Sequence, residues 1–270
     1  MKKCAEIIFY SFVIALFSCC GNEKKKSQDT SDVREMTIIP FEYHETYKLS
    51  EQASDSPTLK FDFMLSLVDA GDSTVTSNIN QAIAYTLFES TGNSIEDACE
   101  NFIVQRKTEY KELLPDYINS KENDMPEVWF YNYYLANSEA ETGYKGCINY
   151  TILWEEFTGG AHPNSFYTVL NFNPETGEEI VLSDILKDNY EDALTDILIN
   201  NLAKQLQVEN IEGIKDKGYL YQDNDMFISN NFILDSAKIV FIYNKYEIAP
   251  YAFGDIMITV TYDELKDILK

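Results

Sequence analysis

The sequence predicts an α+β fold of two mixed units, each made of antiparallel strands packed with one or two helices. Three observations carry that prediction. Two long runs near the start of the folded region alternate apolar and polar residues, the period of a half-buried strand. The spacing then switches to a helical period, and later returns to strands in both halves. Aromatic residues make up 14% of the 270 residues, with 19 Tyr against 16 Phe, a composition that favours sheet.

The elements follow in order. Thr37–Lys48 (TIIPFEYHETYK) and Thr58–Asp69 (TLKFDFMLSLVD) read as strands. Ser77–Phe88 and Ser94–Leu114 read as helices; Ser94 with Asp97 supplies an N-cap for the second, and Pro115 a stop. Val128–Ala136 (VWFYNYYLA) and Lys145–Thr158 (KGCINYTILWEEFT) return to strand, joined as a hairpin through the polar stretch Asn137–Gly143. Ser165–Asn173 is a strand, followed by the turn Pro174–Gly177 and a short strand Glu179–Leu182. Ser183 caps a turn, and Tyr190–Gln207 is an amphipathic helix. Asp225–Leu234, Lys238–Tyr243 and Asp255–Thr261 read as strands, and Tyr262–Leu269 as a closing helix. The corresponding domains are residues 36–155 and 156–270.

The first residues address the chain to a membrane surface. Met1–Lys3 is basic, Ile7–Leu16 mostly apolar, and Leu16-Phe17-Ser18-Cys19 reads as a lipobox. The apolar run is too short for a stable span. Residues 1–18 are therefore expected to be a signal peptide, with Cys19 as the lipid attachment site; Cys20 is the alternative acceptor, and a buried N-terminal helix the alternative structure. Residues 19–35 are polar, charged and aperiodic, as a flexible tether would be. This is the pattern of bacterial lipoproteins, and it implies a cell-envelope location on the periplasmic or outer-membrane face.

Cysteine usage argues against a disulfide scaffold. Cys4 falls in the signal and Cys19 is acylated, which leaves Cys20, Cys99 and Cys147. A Cys99–Cys147 bridge and two buried thiols are both open, and the spacing matches no metal motif.

The formal net charge is −24. It lies on the folded part: residues 36–155 hold 20 acidic and 7 basic side chains, and residues 156–270 hold 20 and 8. Such a field excludes nucleic acid and anionic lipid as partners. It serves colloidal solubility, or it captures a basic protein or peptide.

Two stretches carry a family resemblance. The first is Thr158-Gly159-Gly160-Ala161-His162-Pro163-Asn164, leading into Phe166–Asn173 and the Thr176-Gly177 turn; the second is Tyr246-Glu247-Ile248-Ala249-Pro250-Tyr251-Ala252-Phe253-Gly254. In this order and separation they resemble the RsiV-like C-terminal domain of exported bacterial proteins, and the region before them is similar to the PdaC-like N-terminal domain that accompanies it. The resemblance covers about residues 36–268. It implies a binding role, since one relative is the lysozyme-binding part of an anti-sigma factor and another accompanies a peptidoglycan deacetylase. Signalling and deacetylation do not carry over: no segment ahead of the signal is expected to hold a sigma factor, and no Asp/His cluster is present to bind a metal.

The resemblance singles out Gly159, Gly160, His162, Tyr246, Glu247 and Tyr251. A catalytic His162 would need a partner within hydrogen-bond reach, and a metal would need three or four ligands. The other reading is a histidine that ties a glycine-bent loop. Glu247 could meet His162 as a buried polar pair or stand as a general acid, which would need a second carboxylate. Trp129 and Trp154, both in aromatic-rich segments, read as core. No phosphate loop, dinucleotide fingerprint, nucleophile elbow or CxxC is present. The expectation is a non-enzymatic binding protein without cofactor or metal, recognising lysozyme, another basic protein or a peptidoglycan fragment. The rivals are an envelope hydrolase with a His162/Glu247 cleft and a purely structural lipoprotein.

Overall fold

The computed structural model describes residues 36–90, 94–122, 127–220 and 225–270. The expected signal peptide, lipobox with Cys19 and tether lie outside the described residues.

The α+β class holds. Strands β1 (Thr37–Lys48) and β2 (Thr58–Asp69) pair antiparallel over their whole length, as their alternation predicts. Helices α1 (Ser73–Phe88), α2 (Ile95–Lys111) and α3 (Leu114–Glu122) follow. They form one long crossover, so that β3 (Asn132–Thr142) comes back parallel to β2. This corrects the expectation of purely antiparallel strands: a helical crossover returns the chain to the same end of the sheet, and the next strand then runs in the same direction. Strands β4 (Ile148–Phe157) and β5 (Asn164–Phe172) complete a five-stranded sheet of order β1-β2-β3-β4-β5. The expected 155/156 boundary falls inside β4, and β5 is the fifth strand of the N-terminal sheet.

Helices α1 to α3 cover one face of this sheet. Leu59, Phe61, Phe63, Leu65 and Leu67 of β2 point towards them and are buried, while Lys60 and Met64 on the opposite face are exposed. From α1, Val75, Ile79, Ile83 and Leu87 descend onto this layer at four-residue spacing. Phe102 of α2 sits among the rings of Phe61, Phe63, Phe88, Tyr134 and Trp154, with centroids 5.3 to 6.4 Å away. Each such buried ring contributes about 2–3 kcal/mol of transfer free energy.

The second unit is a smaller layer pair. Strands β6 (Phe232–Leu234), β7 (Lys238–Tyr243) and β8 (Ile256–Thr261) form an antiparallel sheet. Helix α5 (Glu191–Leu206) packs Leu194, Leu198 and Leu202 into a core with Ile239, Phe241, Ile258 and Val260. Two short helices, α4 (Leu182–Ile185) and α6 (Ile211–Asp216), close its margins.

Several local expectations give way to capping and tertiary contact. Asp72 accepts from the amides of Thr74 and Val75, so α1 starts before Ser77. Ser94 caps α2 through the Asp97 amide as expected, but Pro115 opens α3, where a first-turn proline costs no hydrogen bond. Glu127–Phe130 is a 3-10 turn and not the start of a strand. Glu179 makes only a single bridge to Phe172, because Leu182 already begins α4. Asp225–Leu234 contracts to β6. Tyr262–Leu269 winds as consecutive turns that end in a bridge between Leu186 and Leu269. The six-residue α6, capped by Asn210 on the Gly213 amide, had no periodic signal.

Asparagine side chains join the two sheets. The outer edge of β5 has no strand partner, yet its peptide groups are paired. The Tyr167 amide donates to Asn244 Oδ1 at 2.7 Å, and the Tyr167 carbonyl accepts from Asn231 Nδ2 and Asn244 Nδ2, both at 2.9 Å. The Val169 amide donates to Asn231 Oδ1 at 2.8 Å. In the other direction, Asn171 Nδ2 donates to the Phe232 carbonyl at 2.8 Å and Asn171 Oδ1 accepts from the Leu234 amide at 3.3 Å. Asn149 Nδ2 reaches the Leu234 carbonyl at 3.0 Å. A carboxamide carries the donor and acceptor of a peptide group, and so can stand in for a missing strand. Gly143 allows this approach, since a Cβ there would lie 2.0 Å from the Leu234 carbonyl oxygen.

Cys99 and Cys147 are both free and buried, one in each core cluster. Burial pushes their thiols up, to about 12 and about 11.

Asn171→Leu keeps the branched shape but leaves the Phe232 carbonyl and Leu234 amide unpaired. The expected loss is about 2–6 kcal/mol by urea unfolding, at 1–3 kcal/mol per orphaned group. Asn201→Leu, which removes an exposed bond to the Thr259 carbonyl, should cost less than about 1 kcal/mol.

Candidate functional site

The two motifs singled out in the sequence meet in space. Residues 158–163 link β4 to β5, and Gly159 and Gly160 adopt φ of +98° and +115°. Those angles bend the loop back so that Gly159 lies close over the Trp129 carbonyl. His162 follows the bend and is exposed. Its ring stacks on Tyr251 with centroids 4.1 Å apart, and Tyr246 lies 5.5 Å from Tyr251.

Both imidazole nitrogens are engaged. Nδ1 lies 2.8 Å from the Pro163 carbonyl, which can only accept, so Nδ1 carries the proton. Nε2 then accepts from the Tyr246 hydroxyl at 3.2 Å when the ring is neutral. Tyr251 Oη also donates to the Pro163 carbonyl, at 3.4 Å. Tyr246 holds a φ of +72°, which costs a bulky residue of order 1 kcal/mol or more. That strain keeps a ring that is 51% exposed beside the histidine.

Glu247 turns elsewhere. Its Oε2 accepts from the Asn244 amide at 2.8 Å, and Asn244 in turn holds both peptide groups of Tyr167. Burial pushes the Glu247 carboxyl above the usual carboxylate range; the Asp255 charge adds to this and the Asn244 amide opposes it. Beside it, Lys245 pairs with Asp255 at 2.9 Å and donates to Ser165 Oγ at 2.9 Å. The hydrogen bonds of His162 and Glu247 therefore do not join the two residues. His162 closes a loop on two tyrosines, and Glu247 positions the edge of β5 through Asn244.

Trp154 is core, as expected, but Trp129 is not. It sits in the 3-10 turn and is 46% exposed, next to exposed Val128 and Tyr131. These rings continue towards the motif cluster: Tyr133 lies 6.0 Å from Phe157, and Tyr133 and Tyr251 are close enough to interact electrostatically.

The feature least visible in the sequence is the second face of the five-stranded sheet. Strand register places Glu42, Met64, Asn137, Leu153 and Tyr167 in one row across all five strands. This row floors an open cavity of about 540 Å³, whose lining contains Glu42 and Glu139 and neither lysine nor arginine. The next row carries His44, Asp62, Leu135, Glu155 and Ser165. Asp62 is held by Lys60 at 2.6 Å and His44 at 2.8 Å, and Glu155 accepts from Tyr133 Oη at 2.9 Å. The face thus runs from an acidic apolar trough to the Tyr133, Tyr251 and His162 end. The period-2 alternation of β1 and β2 gives the parity of the first two strands, but only long-range register assembles the row. No group of three or more potential metal ligands occurs among the described residues. Nor is any helix among them long and apolar enough to cross a membrane.

Comparison with known proteins adds a family domain. Residues 183–263 match the family described as "Protein of unknown function (DUF3298)". A crystal structure of a DUF3298 family member from Bacteroides fragilis NCTC 9343 is similar, with a TM-score of 0.81 and 26% identity over 88% of this chain and 95% of that one. A DUF3298 family protein from Pseudomonas aeruginosa PAO1 shares the fold at a TM-score of 0.56 and 17% identity, with the same coverage. No curated protein matches the chain. The matched segment starts after β5 and contains Tyr246, Glu247 and Tyr251, whereas His162 comes from outside it.

His162→Ala removes a ring stack and two hydrogen bonds at an exposed site, and should cost about 1–2 kcal/mol in urea unfolding. Glu247 tests the burial argument through pH. Its folded pKa is raised, so its contribution to stability is present below the ordinary carboxylate range and is lost as pH rises through the folded value. Glu247→Gln cannot ionise. Its stability relative to the native chain should therefore improve between about pH 4 and about pH 7, as read by urea unfolding at both values.

Proposed function

We propose that this protein is a binding module of the bacterial cell envelope, anchored by a lipid on Cys19, that captures a basic protein on the uncovered face of its five-stranded sheet. The observation that carries this reading is the 540 Å³ trough, lined by Glu42 and Glu139 without a compensating cation, on a chain of net charge −24. Apolar Met64 and Leu153 and the amide of Asn137 supply packing and hydrogen bonds, and the carboxylates supply steering and register. The aromatic end formed by His162, Tyr246 and Tyr251 extends the same surface, and tyrosines and tryptophans suit contact with lysine and arginine side chains. The tethered position suits a receptor that meets proteins arriving from outside the cell. The resemblance to RsiV-like domains supports the choice of a basic enzyme of the lysozyme type as the first candidate, and that partner is strongly cationic where this surface is acidic.

Calorimetric titration of residues 36–270 with lysozyme is expected to show saturable binding with defined stoichiometry that persists at about 0.15 M salt, where the Debye length is roughly 8 Å. The double variant Glu42→Gln/Glu139→Gln should weaken binding about tenfold or more and flatten its salt dependence. Binding that vanishes at moderate salt, or that the double variant leaves unchanged, would sink the reading.

A further inference from the structure

The helix-covered side of the sheet holds a second cleft that the binding of a basic partner does not use. It opens where α1 ends, between Thr86 of α1 and Glu89 just after it, Phe102 and Arg106 of α2, and the β4–β5 rows carrying Trp154 and Phe166, and encloses about 310 Å³. Its floor is aromatic. The edge of Phe102 meets the rings of Tyr134 and Trp154 at 5.3 and 5.7 Å, and the Trp154 indole N–H donates to Glu156 Oε2 at 3.0 Å. The Arg106 guanidinium lies over Phe102, 5.3 Å from its centroid, with one Nη bound to Glu109 at 3.1 Å. Its Nε is buried and has no hydrogen-bond partner. A buried unpaired donor of this kind costs about 1–3 kcal/mol and calls for an explanation.

The polar groups of the lining restrict what could fill the cleft. Arg106 disfavours a cation. Glu89 and Glu156 disfavour a free anion. A purely apolar ligand would strip water from Arg106, Glu156 and the hydroxyls of Thr86 and Thr168 without replacing its hydrogen bonds. What fits is an uncharged ligand with an apolar face for the rings and both donors and acceptors along its edge. We infer that the cleft is a site for a neutral saccharide, with an acetamido-substituted hexose as the best match. The acetamido carbonyl would accept from Arg106, its methyl would pack against Phe166 or Phe102, and ring hydroxyls would bond Thr168, Thr86 and Glu156. The volume stands at the lower end of small-molecule sites, which suits one or two sugar rings.

The test uses the intrinsic fluorescence of Trp154. The chain holds two tryptophans, so Trp129→Phe leaves Trp154 as the only reporter. Titration of that chain with the trisaccharide of N-acetylglucosamine is expected to shift its emission saturably, with half-saturation at or below about 1 mM. Thr168→Val and Arg106→Lys, each added to that background, should weaken the response about tenfold. Melting curves and the titration with lysozyme are run alongside and should not change for Thr168→Val, so that loss of this site is separable from loss of the basic-partner face. No saturable change up to about 10 mM in the folded Trp129→Phe protein, or a response in both variants unchanged from that parent, would overturn the assignment.

Discussion

The fold depends on how the outer edge of β5 is satisfied. A buried strand edge must pair its amides and carbonyls, and among the described residues no further strand does so. Asn231 and Asn244 reach across from the second unit and pair with Tyr167 and Val169, while Asn149 and Asn171 reach back to β6. Two sheets of different size are thereby fixed to each other without one continuous ladder. The rest follows from that junction. Gly143 must lack a side chain because the β3–β4 hairpin end passes close to Leu234, and Glu247 holds Asn244 in place through its amide. Lys245 with Asp255 secures Ser165 at the entry to the same strand. The conspicuous motif residues gather here because this is where loop 158–163 and the turn after β7 converge.

The same arrangement explains which surface is left for function. Helices α1 to α3 close one face of the large sheet, and the second unit docks at its β5 margin. The middle of the other face stays open, with apolar residues in a row flanked by carboxylates. An open sheet face needs polar side chains for solubility, and the charged ones lining the trough are Glu42 and Glu139. On the proposed reading, a trough lined by apolar residues and two carboxylates suits a cationic protein better than nucleic acid or an anionic membrane. Binding on that face would leave the helix-side cleft beneath Arg106 accessible, so two ligands of different chemistry would not compete.

The sequence shows local period well and long-range pairing poorly. β1 and β2 were legible to their end residues because most of each alternates apolar and polar side chains, and β7 because it is a short apolar run. The Ser94 cap of α2 was legible because a serine three residues ahead of an acidic residue has one common use. Trp129 and Phe130 misled, since β-prone aromatics wound into a 3-10 turn whose position is set by contacts distant in sequence. Tyr262–Leu269 has helical spacing but closes on Leu186 instead. The parallel return of β3 depends on where a three-helix crossover lands, which no window of sequence contains. His162, Tyr246 and Tyr251 were found by motif and do come together, whereas the His162/Glu247 pair did not form. The asparagines that join the sheets carry no periodic signature, and the acidic row appears only after register brings five strands side by side.

The central claim is that a basic partner covers the uncovered face of the five-stranded sheet, and oxidative footprinting of methionines tests it most directly. Met64 on that face and Met257 on the outer face of the small sheet are 45% and 44% exposed, so in the free protein they should oxidise at comparable rates. With saturating lysozyme at moderate salt, the account predicts that Met64 is protected several-fold while Met257 is unchanged. Equal oxidation of Met64 with and without the partner, or protection confined to Met257, would contradict it.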